Sequence, residues 1–361
     1  MACLLKGVAG VIFLVIYKVD NMLAYKFRSG RGTKDRNGVD LFDRDIQLLA
    51  KDSIYIPTVK QLNDPSEALV DDSTFKMVLN LLTPLTSSAT AARVKDCYHG
   101  LMDKIQASGV YSLSKEIKNE LMWAYYASGH SGYAVIFDTT VLAKSFDSGK
   151  WGGMYEFDVK YSPVVPQFDI SKISNQIETL ICLVGTKSQV WKHEKEHRLL
   201  FDKGGACLKI DYRAIKGFVF GCRMPQGDID YVMKQFAGRD LEYSRVELID
   251  NTYELSLKRQ EDKYPNADKY CPNKISYDLD NLLECDKYSL GVGYKYKGLV
   301  DEALKEVCRE PFVTGISHIV VTDDGRYPHI MVWTSIDQPG VIRKMRAFDY
   351  DIEDGKLVKS E

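Results

Sequence analysis

The segment Val190-Trp191-Lys192-His193-Glu194-Lys195-Glu196-His197-Arg198-Leu199-Leu200 constrains this chain most, because it admits two incompatible local structures. As a helix it is a literal His-Glu-x-x-His, with His193 and His197 one turn apart beside a glutamate, the arrangement that binds zinc in metalloproteases. As a strand edge it is Glu194-x-Glu196 leading into apolar residues, and alternation puts both carboxylates on one face. Lys195 and Glu196 fill the gap between the histidines with charge, where a metal-binding helix packed in a core needs apolar residues. No third-ligand pattern such as His-x-x-Gly-x-x-His follows. The strand is therefore the expectation, and no metal is expected.

Length and charge bound the rest. A chain of 361 residues can build one large or two ordinary domains. With 48 Lys and Arg against 50 Asp and Glu, no bulk field draws it to nucleic acid or anionic membrane. The cysteines are scattered without a Cys-x-x-Cys, which reads as reduced, mostly buried thiols of a cytoplasmic protein. Residues 1–21 form an apolar extension. Its run from Leu4 to Tyr17 is broken only by Lys6 and is shorter than the roughly 20 residues that span a bilayer. We read it as dispensable, with Met22 as an alternative start; a membrane tether and a buried first strand are the other readings. No integral membrane partner is expected.

From residue 22 the pattern alternates between short strands and helices, predicting an α+β fold. Strands are expected at 23–28, 54–57, 109–114, 133–137, 154–161, 198–201, 206–210 and 215–220. Helices are expected at 40–49, 66–82, 91–105, 120–126, 170–184 and 228–236. The stretch 258–274 is charged, bears Pro and Asn, and reads as a linker between a unit at 22–257 and a small α+β module at 275–361. In that module 298–308 is helical. Residues 315–322 and 328–336 make a hairpin around Asp324-Gly325, and 343–350 is a further strand.

Several phrases resemble a bacterial family of unknown function, DUF2971. They are Tyr25-Lys26-Phe27-Arg28-Ser29, Asn63-Asp64-Pro65-Ser66-Glu67, Tyr111-Ser112-Leu113-Ser114, Leu121 to Ala127 with Gly129-His130-Ser131-Gly132, and Trp191 to Arg198. They span about residues 23–225, and the last of them, in that family, turns on its two glutamates and Arg198 rather than on His197. Taken in order, Arg28, Ser112-x-Ser114 and Glu194-x-Glu196 also resemble the Arg / Ser-Thr-Ser / Glu-x-Glu pattern of the ADP-ribosyltransferase superfamily. That resemblance implies a split β-sandwich with inserted helices and an NAD-dependent ADP-ribosyltransferase or NAD glycohydrolase, acting in bacterial conflict such as anti-phage defence or as a toxin.

Its residue roles follow. Cleavage of the nicotinamide–ribose bond develops an oxocarbenium-like cation, which a fixed carboxylate stabilises. The resemblance gives Glu196 that task and gives Glu194 the orientation or deprotonation of an acceptor, a protein or nucleic acid of unknown identity. Arg28 is to clamp the NAD diphosphate, Ser112 and Ser114 to brace the ribose and the glutamate, and Trp123, Tyr125 or Tyr126 to stack on nicotinamide. Leu113 departs from the usual Thr. Each residue also has a plainer reading: a salt-bridged Arg28, strand-end serines, a solvated Glu194/Glu196 edge paired with neighbouring cations, aromatic core residues, and an Asx turn and helix start at Asn63-Asp64-Pro65. Two other functions stay open. One is a non-catalytic nucleotide or partner sensor using the same cleft. The other is a metal-assisted hydrolase or nuclease on His130, Asp64 and the glutamates.

Overall fold

The structure is a computed structural model describing residues 22–35, 37–146, 154–168, 176–285, 291–323, 328–341 and 344–360. The readings of residues 1–21, of the start of the 170–184 helix and of the Asp324-Gly325 turn lie outside them. The elements run β1 (Leu23–Arg28), α1 (Leu41–Ala50), β2 (Ser53–Ile56), α2 (Ser73–Leu82), α3 (Ser88–Ala107), β3 (Gly109–Ser114), α4 (Glu120–Tyr126) and β4 (Tyr133–Asp138). There follow α5 (Thr139–Lys144), β5 (Tyr155–Asp158), β6 (Lys160–Ser162), α6 (Gln176–Val184), β7 (Thr186–Ser188), β8 (Glu196–Phe201), β9 (Ala206–Lys209), β10 (Ile215–Phe220) and α7 (Gln226–Gln235). The expected strands and most helices are present in this mixed α+β fold. The helix expected from Ser66 begins only at Ser73, because Asp64 and Pro65 make a turn instead: the Asp64 carboxylate accepts from the Ser66 amide at 2.9 Å.

α7 does not end the first unit. β11 (Glu242–Leu248) and β12 (Leu255–Gln260) extend an eight-stranded mixed sheet of order β12-β11-β10-β4-β1-β3-β8-β5. Only β10 and β11 run parallel among its pairs. One face, through Tyr133, Val135, Phe137 and Phe218, packs on Phe42 and Ile46 of α1 and on Ile229 and Val232 of α7. The opposite face, through Phe27, Ala134 and Val219, packs on Trp123 of α4. Alternation along β1 and β4 divides these residues between the two sides. Gly217 has no Cβ because one would stand 2.0 Å from the Glu242 carbonyl oxygen of the neighbouring strand.

The expected linker 258–274 begins inside this unit, since Lys258 to Gln260 belong to β12, and the rest of it is held against the unit. Tyr270 donates its hydroxyl to Asp52 at 2.7 Å. Beyond it lie α8 (Leu279–Glu284), α9 (Val292–Lys295) and α10 (Lys297–Val307), then β13 (Val313–Thr322), β14 (His329–Ile336), β15 (Met345–Glu353) and β16 (Lys356–Lys359). The four strands form an antiparallel meander in chain order. α10 covers it with Val300, Ala303, Leu304 and Val307, one helical stripe. Gln338 joins the two units by donating to the Lys144 carbonyl at 3.0 Å.

The cysteines correct one expectation. Among the described residues Cys97, Cys182, Cys207, Cys271 and Cys285 are exposed, Cys222 is half-buried and only Cys308 is buried; all of these are free thiols. No helix among the described residues is long and apolar enough to cross a membrane.

Candidate functional site

The large sheet is nearly divided in two. β1 pairs with β4 from Leu23 to Arg28, yet it meets β3 at one register position, Tyr25 opposite Ser114. β3 in turn pairs with β8 along its whole length. A cavity of about 250 Å³ lies where β1 and β3 part, lined by Lys26 and Arg28 on one side and Ser112, Ser114, Glu194 and Glu196 on the other. Directly opposed residues share a face, so Tyr25, Ser114 and Glu196 point the same way. Lys26 and Arg28 alternate onto the α1 side and meet the cavity across the gap.

Behind Glu196 stands a buried ion network. Arg198, fully buried, donates from Nε to Glu196 Oε1 at 2.8 Å and from Nη2 to Glu196 Oε2 at 3.0 Å. Its other edge grips Glu67, at 2.9 and 2.7 Å, and Nη1 also donates to the Val184 carbonyl. Lys187, also buried, lies 2.6 Å from Glu194, 3.2 Å from Glu196 and 3.4 Å from Glu67. Three carboxylates thus share two cations. Burial opposes ionisation of Glu196, but Arg198 and Lys187 outweigh it and bring its pKa down to about 2. Burial likewise opposes the charge on Lys187, and the three glutamates raise its pKa above the ordinary value. Glu194 also accepts from the Tyr126 hydroxyl at 2.5 Å. The Tyr126 pKa is raised by burial first and then by that carboxylate.

Local structure settles the ambiguity of residues 190–200, and differently from either reading. Residues 189–194 form a 3-10 turn, Lys195 takes a left-handed conformation with φ 43°, and the strand begins only at Glu196. Glu194 and Glu196 therefore do not lie on one extended strand; a turn aims both at Lys187. That turn is pinned through three consecutive carbonyls. Asn119 Nδ2 donates to His193 O at 2.8 Å, Ser114 Oγ to Glu194 O at 2.7 Å and the Lys115 amide to Lys195 O at 3.1 Å. These bonds fix a non-glycine residue at positive φ, which is unfavourable when unsupported. His193 and His197 share no helix. His197 sits on β8, bonded to Glu156 at 2.7 Å and Asp158 at 2.9 Å, while His193 contacts the Val190 carbonyl. Among the described residues no three His, Cys, Asp or Glu side chains are grouped to hold a metal ion.

Of the expected site residues, Arg28, Asn63, Ser112, Ser114, Glu194 and Glu196 line the one cavity. Arg28 is also ion-paired with Asp45 of α1 at 3.4 Å. Ser114 braces the Glu194 backbone and not a carboxylate. Four expectations need correction. Trp123 is fully buried, donates its indole N–H to Ile117 O at 2.7 Å and packs edge-on against Phe27, so it is core and cannot stack on a ligand. Truncating such a side chain costs roughly 3–5 kcal/mol. Tyr125 is 61% exposed and lies beside His193, outside the cavity; of the three aromatics only Tyr126 reaches it. Arg198 acts from behind Glu196 and does not line the cavity. His130 and Asp64 do not line it either. The His130 loop is instead a close-packing device: a Cβ on Gly132 would stand 2.1 Å from the Arg28 carbonyl oxygen. Sequence reasoning missed Lys26, Glu67, Lys187 and Asn119. Glu67 was legible as part of the Asn63 to Glu67 phrase, and Lys26 as part of the first.

A larger cavity of about 620 Å³ lies beyond β8, between β5, β6, α6 and β7, where His197, Glu156 and Asp158 line it. The smaller one gathers Arg28, Ser112, Ser114, Glu194 and Glu196.

No curated protein and no solved structure matches the chain. The family described as "Protein of unknown function (DUF2971)" matches residues 122–199. The match takes in the phrases at Met122 to Gly132 and Trp191 to Arg198; those at 25–29, 63–67 and 111–114 fall outside it. The matched stretch runs from within α4 to within β8 and includes both carboxylates of the cleft, Glu194 and Glu196.

Proposed function

We propose that the chain is an NAD-dependent ADP-ribosyltransferase or NAD glycohydrolase that works in the cleft between β1 and β3. One observation carries this reading: Arg28, Ser112 with Ser114, and Glu196 come from β1, β3 and β8, adjacent in that order in the sheet, and line one cavity. The superfamily resemblance implies a split β-sandwich; this chain instead has one eight-stranded sheet covered by helices on both faces, and the reading rests on the opening of that sheet between β1 and β3.

The chemistry suits the charges present. Glu196 stays ionised through the whole neutral range and is held by Arg198 and Lys187, so it meets a developing ribosyl cation without reorganising. The glycosidic C–N bond breaks with its electron pair leaving on nicotinamide. Water or an acceptor nucleophile on a protein or nucleic acid forms the new bond at the same carbon and loses a proton to solvent or to a carboxylate. At about 250 Å³ the cavity is smaller than the roughly 300–1,000 Å³ of sites for whole ligands, so it receives the nicotinamide–ribose end of NAD. Arg28 lies on the other wall for the diphosphate.

A second reading, a nucleotide sensor without catalysis, is favoured by Lys187. That one ammonium contacts Glu67, Glu194 and Glu196, so both carboxylates of the cleft are already engaged in ion pairs. Nicotinamide release from NAD, with and without cell lysate and chelator, separates the two. The expected result is chelator-resistant release that Glu196→Gln lowers by about 10²–10³-fold while retaining NAD binding. NAD that is bound but never cleaved would replace the enzyme with the sensor.

A further inference from the structure

The cleft holds one cation that the ion network does not use. Lys26 projects from β1 two residues before Arg28, and its Nζ donates to the Ser112 carbonyl, across the gap on β3, at 2.6 Å. The ammonium stands 4.7 Å over the Tyr111 ring. Among the described residues Lys26 forms no ion pair, whereas Arg28 has Asp45 and Lys187 has three glutamates. An ammonium drawn into a half-buried cleft without a directly contacting carboxylate is costly, and an incoming anion supplies that contact. A carbonyl takes one of its three N–H donors, which leaves two for such a ligand.

We propose that Lys26 is a further ligand-binding residue of this cleft and that, together with Arg28, it grips the diphosphate of a bound dinucleotide. This rests on the reading of the cleft as an NAD site and adds to it a proton-linked anion contact. The charged groups around the amine are Arg28 on its own strand, Asp45 on α1, and Glu196 and Arg198 on β8. Burial, with Arg28, lowers the amine's pKa to about 7 against the opposing pull of Glu196 and Asp45. The bound diphosphate favours the protonated amine, so binding takes up a proton near neutrality. Affinity is greatest below about pH 7 and falls as pH rises, by at most about tenfold per unit.

The probe is ADP-ribose, whose bridging diphosphate does not titrate in this range. Its binding to the full chain is measured by calorimetry from about pH 6 to about pH 8.5, in buffers of differing ionisation enthalpy. Wild-type protein is expected to weaken with rising pH and to take up a proton on binding. Lys26→Arg, which holds its charge throughout, is expected to bind with a flat profile, and Lys26→Met about tenfold or more weakly below pH 7. If Lys26→Met does not fold, the arginine variant and wild-type proton uptake decide the matter. A slope that persists in Lys26→Arg, wild-type affinity in a folded Lys26→Met, or no ADP-ribose binding by the wild type overturns the assignment. Nicotinamide release is scored separately. Lys26-dependent binding with NAD left intact removes the glycosyl-transfer reading and keeps Lys26; NAD cleavage with Lys26-independent binding does the reverse.

Discussion

Arg198 and Arg239 are both buried arginines bonded to carboxylates, and they serve opposite ends. Arg239 is paired one to one. It donates to Asp52 at 2.6 Å and to the Ala50 carbonyl at 2.8 Å, and its guanidinium carbon lies 3.6 Å over the Tyr270 ring. One cation meets one anion, and Tyr270 completes the shell of Asp52. Arg198 and Lys187 instead face Glu67, Glu194 and Glu196, leaving an excess of negative charge at the wall of a cavity. The first arrangement fastens the 258–274 stretch to the first unit. The second keeps a carboxylate ionised where a ligand can meet it.

The largest expected effect separates the two by stability. Arg198→Met leaves three buried carboxylates with one cation and is expected to cost about 3–5 kcal/mol in chemical denaturation. Arg239→Met leaves Asp52 with the Tyr270 hydroxyl and should cost less, about 2–3 kcal/mol. Equal losses would erase the distinction. Tyr270→Phe, which removes one hydrogen bond to Asp52, is expected to cost about 1 kcal/mol and to speed proteolysis within 258–274 while leaving any NAD turnover unchanged.

The smallest test is the sign of the acid response. Glu196 has a folded pKa lowered from 4.5 to about 2, so its stabilisation is present above pH 4.5 and is lost as pH falls toward 2. Asp52 is shifted the other way: burial raises its pKa above 3.8 against the pull of Arg239. Its contribution is present below 3.8 and is lost as pH rises through the raised value. Melting temperature against pH is therefore expected to flatten on the acid side in Glu196→Gln and to steepen in Asp52→Asn. The same slope in both variants would contradict the contrast.

Much of the fold was legible because local signals agreed. Asn119 caps α4 by accepting from the amides of Leu121 and Met122, and the seven residues that follow fit the helix predicted there. β11 and β12 went unread because Glu242-Tyr243-Ser244-Arg245-Val246-Glu247-Leu248 is half polar and its partner strand ends in Lys258-Arg259-Gln260. They owe their pairing to the sheet edge more than to their own pattern. Residues 190–195 could not be read by period, since a 3-10 turn carries neither of the two that were weighed. Within the site, strand-end residues such as Arg28, Ser112 and Glu196 were visible from their order. Lys187 was not, and Glu67 was visible only as a member of its phrase and not in its role, because that role is long-range: Glu67 meets Arg198 across 131 residues of chain.

The single register position joining β1 to β3 makes the sheet two leaves on one hinge pin, Tyr25 to Ser114. A molecule seated between the leaves stands in for the ladder bonds that are missing there, and ties together halves that the backbone links at one place. Anything that binds the folded form alone raises its stability, by about 2.7 kcal/mol at a hundredfold excess over Kd. The melting curve of this protein is thus a detector for its own ligand, whatever chemistry follows binding.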